Sequence, residues 1–471
     1  MRFAPVLFLV FLLSACASYY QRNMEFQAEV ARGDLQHAAK MLEGDKRAQR
    51  DRNRLLYLLN MGFVNHLQQE YEESNRYFNE ADLMVEDYDR NYATEALALV
   101  SNPEVNPYRI EDFETVMIHY YKAINYLKLT NYDAALVEAR RMNLLLNRMN
   151  DRYPDRKNRY QADAFAHILI GLAYEASGEL NNAFIAYRNA FEVYEGEHGY
   201  FGLDVPNQLK KDLLRTTYQL GFMQEYQWYV DRFGLTHDPS SEGAGEVVML
   251  WHNGMGPVKD EWSVNFIATP GGDGVVVFEN EELGLSFPFH VGDDPEKRNE
   301  LLALKVIRVA FPKYLERPSY YRDASIVLGD ERYSLEPAQN INAIAFKTLE
   351  DRFVREMAKA LLRLATKKVA EIKLAEQNET LGLLATIGNA VTEKADTRNW
   401  QTLPHTIHYQ RIPLQEGNNQ LTLEMRSKQG GIGKTEFSVE GKTGRIYFQS
   451  YHSLEHFPAA PWDRTSYLPS R

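Results

Sequence analysis

One window of the chain constrains its fold more than any other. Between Phe165 and Val193, Gly171 is followed by Tyr174, then by Gly178-Glu179-Leu180, Ala183, Tyr187 and Ala190. Placed on two helices, these positions make a hairpin. Gly171 and Ala183 let the backbones approach closely, Tyr174 and Tyr187 fill the space between them, and Gly178 supplies the turn. The same pattern recurs upstream at Gly62, Tyr71, Ser74, Phe78 and Ala81, and again at Ala123, Tyr126, Tyr132, Ala135 and Ala139. Half of a further unit is visible in Gly33-Asp34-Leu35 with Ala38 and Leu42.

This pattern resembles the tetratricopeptide repeat at nearly every signature position, which implies an α-helical, TPR-like solenoid over residues 24–235. The spacing departs from a tandem array: Gly62 to Ala123 is 61 residues and Ala123 to Gly171 is 48, against ~34 for tandem repeats. Insertions or extra helices therefore intervene, and Ser101-Asn102-Pro103 to Asn106-Pro107 and Tyr153-Pro154-Asp155 read as breaks. Leu209 to Phe233 reads as a capping helix pair. Solenoids of this kind bind partners on a concave face built from the first helix of each hairpin. Projected onto this sequence, that face includes Leu56, Leu59, Phe63, Tyr120, Tyr121, Ile124, Ile168, Leu169 and Leu172. It lacks basic residues, which disfavours a carboxylate clamp. Two readings stand: an aromatic groove for a helix or extended peptide, or side chains that pack against other helices or the C-terminal region. Glu114, His119, Arg140 and Arg141 likewise read either as a recognition set for a peptide or glycan carboxylate, or as a structural ion pair of Glu114 with one arginine. Phe63, Tyr120, Tyr121, Ile124, Glu114, His119, Arg140 and Arg141 are thus the candidate partner-binding residues.

The first residues, MRFAPVLFLVFLLSAC, place Arg2 before an apolar run from Val6 to Leu13 and small residues before Cys16. This is the layout of a signal peptide over residues 1–15. Its apolar run is too short for a spanning helix, which needs about 20 residues. Leu13-Ser14-Ala15-Cys16 resembles the bacterial lipobox, which implies acylation of the Cys16 thiol and an acylated tether over residues 16–23. More than one acyl chain on that residue gives stable membrane anchoring. Ala17 in place of the aspartate that commonly retains such proteins at the inner membrane implies an outer-membrane lipoprotein on the periplasmic face. Cys16 is the only cysteine, so no intramolecular disulfide can form.

A turn-rich linker over residues 236–245 leads into a mixed α+β domain over 246–456. Strands are expected at Glu246–Trp251, Ser263–Ala268, Gly274–Phe278, Lys305–Phe311, Thr406–Ile412, Gln420–Met425, Lys434–Val439 and Arg445–Gln449. Between Pro337 and Glu376 the period switches to helical, with Phe346, Leu349, Phe353, Met357, Leu361, Leu364 and Ile372 on one face. A long helix of this length crosses a sheet. Residues 457–471, with Pro458, Pro461 and Pro469, are expected to form an extended tail.

The residues argue against several chemistries. A formal charge of −12 disfavours a nucleic-acid partner that relies on phosphate attraction. Gly430-Gly431-Ile432-Gly433-Lys434-Thr435 ends like a phosphate-binding loop, but Lys428 stands where the first glycine belongs and the segment joins two strands, so a hairpin is expected. His452-Ser453-Leu454-Glu455-His456 spells an inverted zinc-peptidase signature, yet Pro458 and Pro461 follow at once. His405 and His408 have ligand-like spacing on a strand approach. Asp396, Arg398 and Trp400 read as a lock on the turn before the last strands or as an anion or sugar platform. No metal or other cofactor is expected.

Glu111-Asp112-Phe113-Glu114 leading into His119-Tyr120-Tyr121-Lys122-Ala123, Ala135 to Arg141, Asn253 to Lys259 and Ala395 to Trp400 together resemble an uncharacterised family of bacterial tetratricopeptide-repeat-containing lipoproteins. The likeness covers most of the mature chain and carries no assigned activity. It implies a lipid-anchored periplasmic scaffold or regulator, not an enzyme, with protein or peptide partners in cell-envelope assembly, peptidoglycan-synthesis components among them. The rival is an envelope hydrolase or metallopeptidase with a catalytic C-terminal domain.

Overall fold

Helical hairpins begin where the turn chemistry places them. The computed structural model describes residues 19–91, 106–152, 162–197, 199–239, 243–272, 274–292, 294–377 and 394–460. After a single turn, α1 (Tyr19–Arg22), the first hairpin is α2 (Met24–Arg32) and α3 (Leu35–Gly44). Gly33 ends α2 with φ +77°, and the Asp34 carboxylate accepts the His37 N–H to cap α3. The array continues as α4 (Asp51–Leu67) with α5 (Tyr71–Asn91), α6 (Asp112–Lys128) with α7 (Tyr132–Arg152), α8 (Ala164–Ala176) with α9 (Leu180–Tyr194), and α10 (Asn207–Gln219) with α11 (Met223–Phe233).

The glycine positions act as the hairpin pattern requires. A Cβ at Gly62 would lie 2.7 Å from the Phe78 ring, and one at Gly171 would collide with the Tyr187 ring. Each close approach joins a first helix to its second helix. Nearly every residue of α6 from Phe113 to Leu127 is buried, as is most of α4 and α8. Helices apolar on all sides must be covered on all sides, so something other than the second helices packs on them.

That cover is the C-terminal sheet. Seven strands are ordered β10-β9-β6-β7-β8-β1-β11: β1 (Gly245–Asn253), β6 (Tyr321–Leu328), β7 (Glu331–Asn340), β8 (Thr406–Leu414), β9 (Gly417–Ser427), β10 (Ile432–Gly441) and β11 (Ile446–Ser453). Only the β1–β11 pair is parallel. Strand alternation sends Val248, Leu250, Ile407, Tyr409 and Phe448 into the core that the helices share. Val247, Met249, Trp251, Ile412 and Leu414 go to a second core on the other face, with Ile326, Leu421 and Leu423. The edges are protected. Lys434, Glu436 and Glu440 alternate along β10, and Lys128 at the end of α6 donates to the Phe448 carbonyl of β11 at 3.1 Å.

A smaller sheet, β4-β3-β2-β5, is inserted between β1 and β6. It comprises β2 (Val258–Pro270), β3 (Val275–Asn280), β4 (Leu285–His290) and β5 (Val306–Leu315), with α12 (Pro295–Ala303) before its last strand. The long helix α13 (Ile341–Gln377) serves both cores: Ile341, Ile344, Ala345 and Leu349 join the repeats, whereas Phe353, Met357, Leu361 and Leu364 pack on the smaller sheet.

The differences from expectation are local. Residues 337–340, read as the start of the long helix, are the end of β7; Pro337 sits at a register shift against β8, where a missing N–H is tolerated. Strands β4, β6 and β7 are not among the expected ones: Pro288 stands inside β4, and Arg322, Asp323, Glu331 and Arg332 interrupt the apolar alternation of β6 and β7. Tyr19–Arg22 is helical where a tether is expected, and the Tyr19 N–H is bound to Thr397 Oγ1 at 3.1 Å. The expected breaks at Ser101–Pro103 and Tyr153–Asp155, most of residues 457–471, and the signal peptide and Cys16 lie outside the described residues.

Candidate functional site

The concave face is where the sequence placed a binding groove, and every projected residue on it is buried. Phe63 of α4 and Tyr120, Tyr121 and Ile124 of α6 are each at most 2% exposed. They do not form an open groove. Strands β1 and β11 and the turn before β8 lie over them, because an apolar inner face left uncovered costs free energy in proportion to its area. Tyr120 Oη lies 2.7 Å from His252 Nε2 on β1. The Tyr121 ring stacks on Phe78 at 5.8 Å and 12°, and lies 5.9 Å from Trp400.

Three histidines meet in this seam. His252 of β1 and His452 of β11 are register partners on the parallel pair, and their rings stack at 3.8 Å and 4°. His66 of α4 meets His452 edge-on at 5.2 Å, and its Nδ1 lies 2.6 Å from Asn125 Oδ1. Burial pushes all three toward the neutral form: His66 falls to about 4, and His252 and His452 fall well below the usual imidazole value. Tyr121 Oη, His252 Nδ1 and His452 Nε2 have no hydrogen-bond partner among the described residues. This arrangement removes the basis of the peptidase reading. His452 lies on a strand and His456 in a bridge to Ser319, so the two do not share a helical face.

The charged candidates separate. Glu114 pairs with neither arginine. Its carboxylate accepts the N–H groups of Glu111 at 3.0 Å and Trp400 at 2.7 Å, together with the Tyr108 hydroxyl. Burial raises its pKa. Arg140 leaves α7 outward and donates to Tyr174 Oη at 3.0 Å. Arg141 turns to Asp82 and Glu86 of α5 at 2.8 and 2.9 Å. His119 lies 2.8 Å from Glu138, which Lys122 also meets at 2.9 Å. Lys122 also meets Asp82 of α5 at 3.2 Å, so one buried ammonium bridges carboxylates of α5 and α7 inside the array.

Sequence reasoning missed the ions that join the two halves. Arg411 of β8 enters the array, contacts Glu175, comes within 2.8 Å of Asp212, and pairs with Glu246 at 2.6 Å. Burial alone would raise the Glu175 carboxyl, but the Arg215 and Arg411 guanidiniums outweigh it and hold it at about 2. At the other end, Glu111 holds Lys259 of β2 at 2.6 Å and Arg352 of α13. Those two cations overcome the burial penalty and keep its carboxyl at about 2. Arg398 bonds Asp396 and the carbonyls of Arg52 and Asn106, so the Asp396–Trp400 group is a lock between the domains. Arg411 and Arg352 carry no local signal, since the carboxylates that they meet lie 165 to 241 residues away, whereas Arg398 is marked in the sequence by Asp396 two residues before it.

Exposed apolar side chains are found instead on the outer helices. Leu83 on α5 and Val137 and Leu144 on α7 are more than half exposed and flank the Arg141 bridge. Ile185 on α9 and Met223 and Trp228 on α11 continue the series. Trp228 also lines an open cleft of about 300 Å³ with Phe184, Arg188, Gln224, Glu225 and Tyr229. These positions lie off the buried stripe of amphipathic helices, and that offset is the signal by which the sequence shows them. Among the described residues, no group of three His, Cys, Asp or Glu is placed to hold a metal ion.

No protein-family model matches the chain, and no curated protein matches it. Solved structures do. RapI in its apo form is 15% identical with a TM-score of 0.34, over 45% of this chain. The match spans about half of the RapI chain, 52%. MamA from Desulfovibrio magneticus RS-1 is 18% identical with a TM-score of 0.27, over 45% of this chain and 89% of its own. BtubC from P. vanneervenii is 13% identical with a TM-score of 0.29, over 47% and 79%.

Proposed function

We propose that the chain is a protein-interaction scaffold of the bacterial cell envelope, anchored through acylated Cys16 to the periplasmic face of the outer membrane. One observation carries the reading: the repeat array exposes apolar side chains on its outer helices, Leu83, Val137 and Leu144 among them, while its inner face is filled by its own sheet. A partner therefore docks on α5 and α7, at Leu83, Val137 and Leu144. Envelope-assembly proteins, peptidoglycan-synthesis components among them, are the partner class that the sequence resemblance suggests. The filled inner face supports a rigid platform, since ordering costs of the surface are met on folding and not on binding.

The test is complementation of a deletion strain by a Leu83→Glu/Leu144→Glu variant. Loss of function with unchanged circular dichroism and unchanged melting supports the reading, because two exposed charges do not disturb a core. Full complementation by that variant, present at normal levels, would show that α5 and α7 are not the docking face and would overturn the reading.

A further inference from the structure

We infer that the corner formed by α1, the start of α2 and the turn at residues 394–398 lies directly against a lipid surface. The inference rests on the anchoring of Cys16. Tyr19 follows Cys16 by three residues, a reach of about 10 Å at full extension. A bilayer's polar layer is itself ~5–8 Å thick on each side. A body that starts within this reach has no slack with which to stand off.

The corner is not a loose arm that could be peeled away to lengthen the tether. The Tyr19 N–H is held by Thr397 Oγ1 at 3.1 Å, and the Asn23 side chain closes back on the Tyr19 carbonyl at 2.8 Å. Gln27 of α2 accepts from Arg317 at 2.6 Å and is bound to Gln401. Arg317 itself is fully buried. Releasing α1 and α2 would therefore leave a buried guanidinium short of a partner, which is costly.

What the corner presents suits an interface. Met24 is 52% exposed and stands just past α1. The nearby α3–α4 turn exposes Lys46, Arg47 and Arg50, but also Glu43, Asp45 and Asp51. Its charges nearly cancel, so the acyl chains and the short tether impose the contact and anionic headgroups are not required. The consequence for function is a limit on reach: the scaffold acts at the membrane surface, within its own dimensions, and does not extend far into the periplasm.

The experiment uses the full-length acylated protein in vesicles of phosphatidylethanolamine, with and without phosphatidylglycerol. A photo-crosslinker is placed by Met24→p-benzoylphenylalanine or, at the far end of the array, by Trp228→p-benzoylphenylalanine. Intact mass confirms the acyl chains. The expected result is several-fold more lipid adduct at 24 than at 228, in both vesicle types. A Gly/Ser insertion of ~20 residues after Ala17, which lengthens the tether by roughly 25 Å, should bring position 24 down to the level of 228. Acylated protein with equal adducts at both positions overturns the inference while leaving the anchor standing. Protein without acyl chains overturns the anchor itself, and the membrane-facing corner with it.

Discussion

The two sheets of this protein are both covered by helix, but they are tied to it differently. The seven-stranded sheet shares one continuous core with the repeats: Val248, Leu250, Ile407, Tyr409 and Phe448 sit in the same cluster as Phe63, Tyr121 and Tyr187. Arg411 of β8 and Arg398 of the turn before it add buried polar ties across the join. The four-stranded sheet has a core of its own, closed by α12 and the second half of α13. A shared core makes two elements unfold together, whereas a separate one allows local opening at lower free energy. The repeat array and the large sheet are thus one cooperative unit, and the small sheet is a module hung from it by α13 and the roots of β2 and β5.

Arg411→Met strikes the shared core at its buried ionic join. It leaves Glu175 and Asp212 buried with one fewer cation, and stripping one partner from a buried ion pair costs about 3–5 kcal/mol. Urea unfolding followed by circular dichroism should shift to a lower midpoint as one transition covering helices and large sheet alike. Two separated transitions would mean that the join is not cooperative.

Leu361→Ala probes the other side. Cavities of this kind cost about 2–5 kcal/mol, and here the loss should be confined to the module. Hydrogen exchange should accelerate in β2–β5 and the second half of α13 while β1, β8 and β11 keep their protection. Equal acceleration in both sheets would show a single core.

Gly171→Leu tests the join from within the array. A side chain there meets the Tyr187 ring, which is itself bonded to Glu175 and Arg411. Overpacking costs about 1–3 kcal/mol, and the melting temperature should fall without loss of protection in β3 and β4.

The same join is also tuned by pH. His66 in the seam and His408, which lies opposite Trp251 on the other face of the sheet, fall to about 4 in the folded chain, from 6.5 when exposed. A depressed histidine favours folding fully above 6.5, and that contribution is lost as pH falls from 6.5 toward 4, because the unfolded chain then binds more protons. The slope is about 1.4 kcal/mol per pH unit for each such histidine. Glu111 and Glu175, held at about 2, have their contributions eroded only below the ordinary carboxylate range. The urea midpoint should therefore drop between pH 6.5 and 5, and His66→Gln should flatten the drop. A midpoint constant over that interval would mean that the seam admits protons in the folded state.

Some of this was legible in the order of residues alone. The hairpins were, because Gly62 meets Phe78 and Gly171 meets Tyr187 within about one repeat length, and helical periodicity reports such short-range packing directly. Eight strands and the long helix followed from alternation and period for the same reason. The residues projected onto the concave face are buried instead of open to a partner. What lies on that face was decided by contacts such as Tyr120 with His252, 132 residues apart, and Arg411 with Glu175, 236 apart. No local pattern encodes such pairings: an arginine destined for a buried cluster looks in sequence like any arginine on a solvated strand. The sequence determined which surfaces had to be buried, since apolar side chains are costly in water wherever they stand. Only the tertiary structure decided what buries them, because that choice depends on which distant element has the matching shape and charge.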